Sequence, residues 1–202
     1  MTVQCRERLQ DTMATYDLLA SLFLTLPDEE LVRSIVSGAF EEGSGSAALD
    51  EIARYGRSQQ GRDLDEVLLD LARDRVRLVR GVNQEGIEPP YESMYVKQQA
   101  NMAIGSLNNF YGQQGYNVAD GVKDSPDQIG VEFAFAKLLL EQALQAREAG
   151  DGERATELEG VHDSFLSQHL GRWAATYGAN MARAAETGFY RGIGLLITEI
   201  MP

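Results

Sequence analysis

SPDQIGVEFAFAKLLLEQALQAREAGDG, residues 125–152, decides the fold class. Ser125 has the side chain of an N-cap, Pro126 suits a first helical position, and Gln128 follows the cap by three residues, so the stretch opens like a capping box. Ile129, Phe133, Leu140 and Leu144 then recur on one face at helical spacing. Gly150-Asp151-Gly152 turns the chain. A sheet would need period-two alternation between hairpin turns, and no stretch of the chain has it. The spacing predicts an all-α, compact multi-helix bundle.

The same period runs outward in both directions. Towards the C-terminus, Leu158, Val161 and Phe165 mark a returning helix, Trp173, Tyr177 and Met181 another, and Tyr190, Ile193 and Ile197 a last one. Towards the N-terminus, Gly115 to Lys123 breaks a helix predicted from Lys97 to Gln114, with Ala103, Leu107 and Phe110 inward. Before it, Gly81 to Pro90 reads as irregular chain, and Pro89-Pro90 forces extended backbone ahead of Tyr91. Asp63 and Glu66 have capping-box spacing for a helix through Val67, Leu71 and Leu78. There Arg73, Arg75, Arg77 and Arg80 interleave with Asp70 and Asp74, the pattern of a solvated face rather than a basic one. Leu49, Ile52 and Tyr55 mark a short helix, preceded by the loop Glu41-Glu42-Gly43-Ser44-Gly45-Ser46. Leu31, Ile35 and Phe40 follow a start at Asp28-Glu29-Glu30, and Leu9, Met13, Tyr16, Ala20 and Phe23 form the face of a first helix ended by Pro27. A single domain over 1–202 is expected, with a lobe junction around 81–125.

Composition narrows the function. A chain of 202 residues, 44% hydrophobic and 24% charged, buries a core without metal or disulfide. Its single cysteine, Cys5, suits a reducing compartment. No stretch reaches the ~18 apolar residues of a membrane span, and the N-terminus lacks the charge-then-apolar order of a secretory signal. The cytoplasm is the expected location. The net charge of −13 repels nucleic acid and anionic lipid and favours basic partners.

Catalytic signatures fail one by one. There is no phosphate-binding G-x-x-x-x-G-K-[ST], and Gly192-x-Gly194 lacks the third glycine of a dinucleotide loop. Glu159-Gly160-Val161-His162 is the E-x-x-H of di-iron bundles, but those need a second copy, and His169 has Leu166 three residues before it. The two histidines lie roughly 10 Å apart along one helix, too far to share an ion. His162 is expected as a partly exposed helix residue and His169 as a hydrogen-bonded group at a helix junction. Neither an enzyme nor a bound cofactor or metal is expected. A metal-dependent helical-bundle enzyme is the rival reading.

Two segments concentrate recognition chemistry. Pro89-Pro90-Tyr91-Glu92-Ser93-Met94-Tyr95 presents two aromatic rings and an acid on stiff backbone. Asp124-Ser125-Pro126-Asp127-Gln128-Ile129-Gly130-Val131-Glu132 places three carboxylates around a helix start. Aromatic surface beside carboxylates suits a peptide that is basic at one end and apolar further on.

With a third segment, these resemble the TorD/DmsD group of redox-enzyme maturation chaperones, which includes the NarJ-type nitrate reductase assembly proteins. The family's P-[WY]-x-S-x-Y is matched by Pro90, Tyr91, Ser93 and Tyr95. Its E-P-x-D-H-[LI]-G falls on Asp124, Ser125, Pro126, Asp127, Gln128, Ile129 and Gly130, with Asp124 for the glutamate, Ser125 for the proline and Gln128 for the histidine. Its F-x-x-x-H-L-x-x-W is matched by Phe165, His169, Leu170 and Trp173, with Tyr190 following. The resemblance implies a TorD-like bundle; long loops in such a bundle permit helix exchange between protomers, so a monomer or a domain-swapped dimer is expected. The resemblance also implies a cytoplasmic chaperone that binds the twin-arginine signal peptide or apo-form of a client molybdopterin oxidoreductase until its cofactor is inserted. A NarJ-like factor gripping only the mature client is the alternative. The expected peptide-binding residues are Pro90, Tyr91, Glu92, Tyr95, Asp124, Asp127 and Gln128, the aromatics meeting the apolar part of the peptide and the acids its arginines.

Overall fold

The computed structural model describes residues 3–40, 43, 45–80, 87–96, 100–116 and 125–201. Asp124, most of the 81–90 and 115–123 connections, and the side chains of Cys5 and Ala103 lie outside the described set. Among the described residues ten α-helices follow in order: α1 Val3–Leu24, α2 Glu29–Val36, α3 Ala47–Ser58, α4 Leu64–Arg80, α5 Glu92–Tyr95, α6 Ala100–Gln113, α7 Ile129–Glu148, α8 Gly152–Gln168, α9 Ala174–Ala184 and α10 Gly188–Ile200. A 3-10 turn over Leu170–Arg172 separates α8 from α9. No strand occurs among the described residues, and the fold is all-α. None of the described helices is long and apolar enough to cross a membrane.

Side-chain caps fix several starts. Asp28 accepts from Leu31 N at 2.9 Å, with Glu29 and Glu30 in the first turn of α2. Ser46 caps α3, Asp151 α8 and Thr187 α10. The capping box read at Asp63 and Glu66 does not form: Asp63 accepts from Asp65 N at 2.8 Å, and the Glu66 carboxylate turns to Arg62.

The chain makes two compact units. The first is Met1–Leu24 with Tyr91–Arg172, the second Thr25–Pro90 with Trp173–Pro202. In the first, α7 packs between α1 and α8. Tyr16 and Phe133 meet across the α1–α7 seam with ring centroids 5.6 Å apart, and Phe135 touches both Phe165 and Tyr111, at 4.9 and 4.7 Å. In the second, α10 packs on α9 and α3. Glycines let these backbones approach: a Cβ at Gly178 would lie 2.7 Å from Gly194 O, and one at Gly192 2.5 Å from Ile52 Cγ1.

The charged row on α4 departs from the expected solvated face. Asp74 is only 1% exposed and Arg75 5%. Asp74 Oδ2 accepts from Thr187 N and Thr187 Oγ1, both at 2.7 Å, and Oδ1 from Glu186 N at 3.3 Å and Arg77 at 2.8 Å. One buried carboxylate thus ties α4 to the turn before α10. Arg73 and Arg80 do stay exposed.

His162 departs from expectation too. It is buried rather than partly exposed, with its ring against Tyr16. Its Nε2 has no hydrogen-bond partner among the described residues. Burial pushes its pKa below the usual histidine value, opposed by Asp163 and Glu159. The folded state therefore resists a proton that the unfolded chain takes up near pH 6.5. Stability is complete above that pH and falls as pH drops towards the lower folded pKa. Thermal melts from pH 7.5 to 5 should show this loss, and His162→Phe should flatten it. Equal pH slopes for parent and variant would contradict the assignment.

Candidate functional site

Stiff backbone brings the chain to Tyr91, which is extended at φ −123° and ψ 133° and pairs as an antiparallel bridge with Gln128. The single turn α5 follows, too short to hold itself and without a side-chain cap of its own from Tyr91. Asp127 supplies the cap from a distant part of the sequence. Its carbonyl accepts from Glu92 N at 2.9 Å and its carboxylate from Ser93 N at 3.1 Å. The other carboxylate oxygen accepts from the Ser125 hydroxyl.

These commitments move the start of α7. Ser125 does not cap it, and Pro126 and Asp127 form a turn closed by Gln128 N to Ser125 O at 3.0 Å. Gln128 is the N-cap, its Oε1 accepting from Gly130 N and Val131 N and its Nε2 donating to Phe23 O at 3.4 Å. Gly130 must be small. A Cβ there would lie 2.9 Å from both Gln128 Oε1 and Leu24 Cγ. Tyr111 closes the arrangement with a 2.8 Å donation from its hydroxyl to Pro126 O. Burial, with Glu132, Tyr116, Glu92 and Asp127 nearby, holds that hydroxyl well above the usual tyrosine pKa, so it remains a donor.

The third segment joins through His169, the C-cap of α8. Its Nδ1 lies 2.9 Å from Glu92 Oε2 and its Nε2 3.0 Å from Ser106 Oγ. With a carboxyl oxygen accepting, Nδ1 carries a proton, and Nε2 shares the second hydrogen bond with the serine hydroxyl. The ring stacks on Phe165 and meets Phe110 edge-on. Nucleophile, base and orienting acid would stand in this order in a hydrolase. Ser106, however, lies inside α6, where the amides are spent on the helix and leave no donor pair for an oxyanion. The relay joins three helices, as the junction role expected for His169 requires.

Of the residues expected to bind peptide, Glu92, Asp127 and Gln128 are each 1% exposed. The acids do not stand open to a ligand's arginines; their oxygens cap α5 and hold His169. Pro90 is buried, Tyr91 and Tyr95 are half-buried, and Asp124 is outside the described residues. What the turn offers outward is Met94, 36% exposed, flanked by those two rings. Sequence reading missed Ser106 and the Glu92–His169 contact, which spans 77 residues. Only the shared order of the three segments hinted that they meet. Among the described residues no group of three or more His, Cys, Asp or Glu could hold a metal ion.

The family model for the nitrate reductase delta subunit matches residues 42–177. That is more than half of the chain, and it contains all of the first two segments and the third as far as Trp173. The chain belongs to this family of NarJ/TorD-type chaperones. No curated protein matches it.

Proposed function

We propose that this member of the nitrate reductase delta subunit family is a cytoplasmic chaperone that holds the apo-form of a molybdopterin oxidoreductase, its signal peptide included, until the cofactor is inserted. One observation carries the reading. Three segments far apart in sequence converge on a single buried network that holds the turn carrying exposed Met94, with Tyr91 and Tyr95 half-buried in the same turn. Rigid aromatic surface beside an exposed methionine suits an apolar peptide and adapts to its shape. The arginines of a leader are drawn by the field of the −13 chain and not by Glu92 or Asp127, which face inward.

This division favours the client's apolar stretch as the main contact and gives weight to the alternative in which the mature client is gripped. Co-purification of the client with and without its leader, at 50 and 300 mM NaCl, separates the two. A field-driven leader contact loses affinity in salt; an apolar contact keeps it. The expected result is salt-resistant capture of both forms, tighter with the leader at low salt. Capture of neither form overturns the proposal.

A further inference from the structure

We propose that the outer face of α4, with the cavity beside it, docks an acidic amphipathic segment of a partner protein, one partner carboxylate seating against Arg73. Large apolar side chains are exposed at few described positions, and two of them, Leu69 at 48% and Val76 at 41%, lie on this helix. Residues 69, 73, 76 and 80 follow one another at four-, three- and four-residue steps and share a face. The row therefore reads Leu69, Arg73, Val76, Arg80, all exposed. Neither arginine has an ion-pair partner among the described residues. An exposed face with two aliphatics and two unmatched cations stands out in a chain of net charge −13.

The cavity supplies the second, independent observation. It has a volume of about 360 Å³ and is lined by Tyr55, Arg62, Asp70, Arg73, Glu186 and Thr187, among others. Its other charges are matched: Arg62 pairs with Asp70 at 3.0 Å and Glu66 at 3.6 Å, and Glu186 with Arg77 at 3.2 Å. Thr187 is spent on Asp74. Arg73 is the uncompensated charge of the wall, and it belongs to both the cavity and the exposed row. The Tyr55 hydroxyl, its pKa pushed up to about 12 chiefly by burial, stays a donor. A carboxylate entering here gains charge-assisted hydrogen bonds, while apolar residues two helical turns apart on the partner, about 10 Å, cover Leu69 and Val76. Of the acids near this face, Glu66 and Asp70 turn to Arg62 and Glu186 to Arg77, while Asp65 lies at the Leu69 end of α4, so the carboxylate of the partner is placed towards Arg73 and Arg80. The surface is distinct from the Tyr91–Tyr95 turn, which lies in the other compact unit.

The test is fluorescence anisotropy of the full chain with a labelled synthetic Leu/Glu amphipathic helix, against its Leu/Lys counterpart. Saturable binding of the acidic peptide is expected, reduced about tenfold or more by Arg73→Glu and about threefold by Tyr55→Phe, with Arg73→Lys close to the parent. Arg73 is exposed, so its variants fold, and thermal melts check that Tyr55→Phe does too. No saturable binding, equal affinity for the Leu/Lys peptide, or indifference to Arg73→Glu overturns the proposal. So does a self-associated form dissociated by Arg73→Glu, which would make a second copy of this chain the occupant. None of these results bears on client capture, which is read with a different ligand.

Discussion

Glu92→Ala is expected to destabilise the fold by about 3 kcal/mol, because it strips a buried imidazole of the acceptor for its Nδ1 proton. The loss spreads. Glu92 joins α5 to the C-terminus of α8, and His169 passes the link to Ser106 on α6. For a chain of this length the corresponding fall in Tm is about 6–12 °C, read by far-UV circular dichroism. Glu92→Gln keeps an acceptor oxygen of the same reach and is expected to fall by less than half as much. A Glu92→Ala protein that melts with the parent would mean that the buried contact contributes nothing.

Asp74→Ala is expected to cost about 3 kcal/mol or more, because several donors around a buried carboxylate lose their acceptor at once. Four donors lose their acceptor together: the amides of Glu186 and Thr187, the Thr187 hydroxyl and Arg77. Thr187 is itself the cap of α10, so its release loosens the start of the helix that packs on both α3 and α9. The chain has one tryptophan, Trp173, buried in the same unit. Its fluorescence should follow the loss directly in urea unfolding. Asp74→Asn keeps one acceptor and is expected to lie between. An unchanged midpoint for Asp74→Ala would contradict the role given to this carboxylate.

Local rules made most of the helices legible. The Gly150-Asp151-Gly152 turn, the acid-rich start at Asp28 and the helix predicted from Lys97 to Gln114 all depend on neighbours in sequence; the structure has α8 and α2 there and α6 over Ala100–Gln113, with Lys97 outside the described residues. Errors arose where a side chain serves an element remote from itself. Ser125, Pro126 and Gln128 satisfy every local rule for a cap, yet Asp127 is needed to cap α5, and that demand turns the backbone and passes the cap to Gln128. Asp74 sits among alternating charges that read as a solvated face, and only the approach of the α9–α10 turn makes it a buried cap. Family resemblance added the third segment to two that aromatic and acidic content had already marked. That content drew attention to the acids as ligand contacts, whereas Glu92 and Asp127 are buried and hold the turn that carries Tyr91 and Tyr95.

That distinction between platform and contact is the centre of the account, and client-binding isotherms set beside melts test it most directly. Met94→Ser should lower client affinity while leaving Tm with the parent, because Met94 is the exposed member of the turn. Asp127→Asn should lower Tm, since one oxygen cannot serve Ser93 N and the Ser125 hydroxyl together, yet leave the affinity of the folded fraction unchanged. An Asp127→Asn protein that melts with the parent but no longer binds its client would contradict the account.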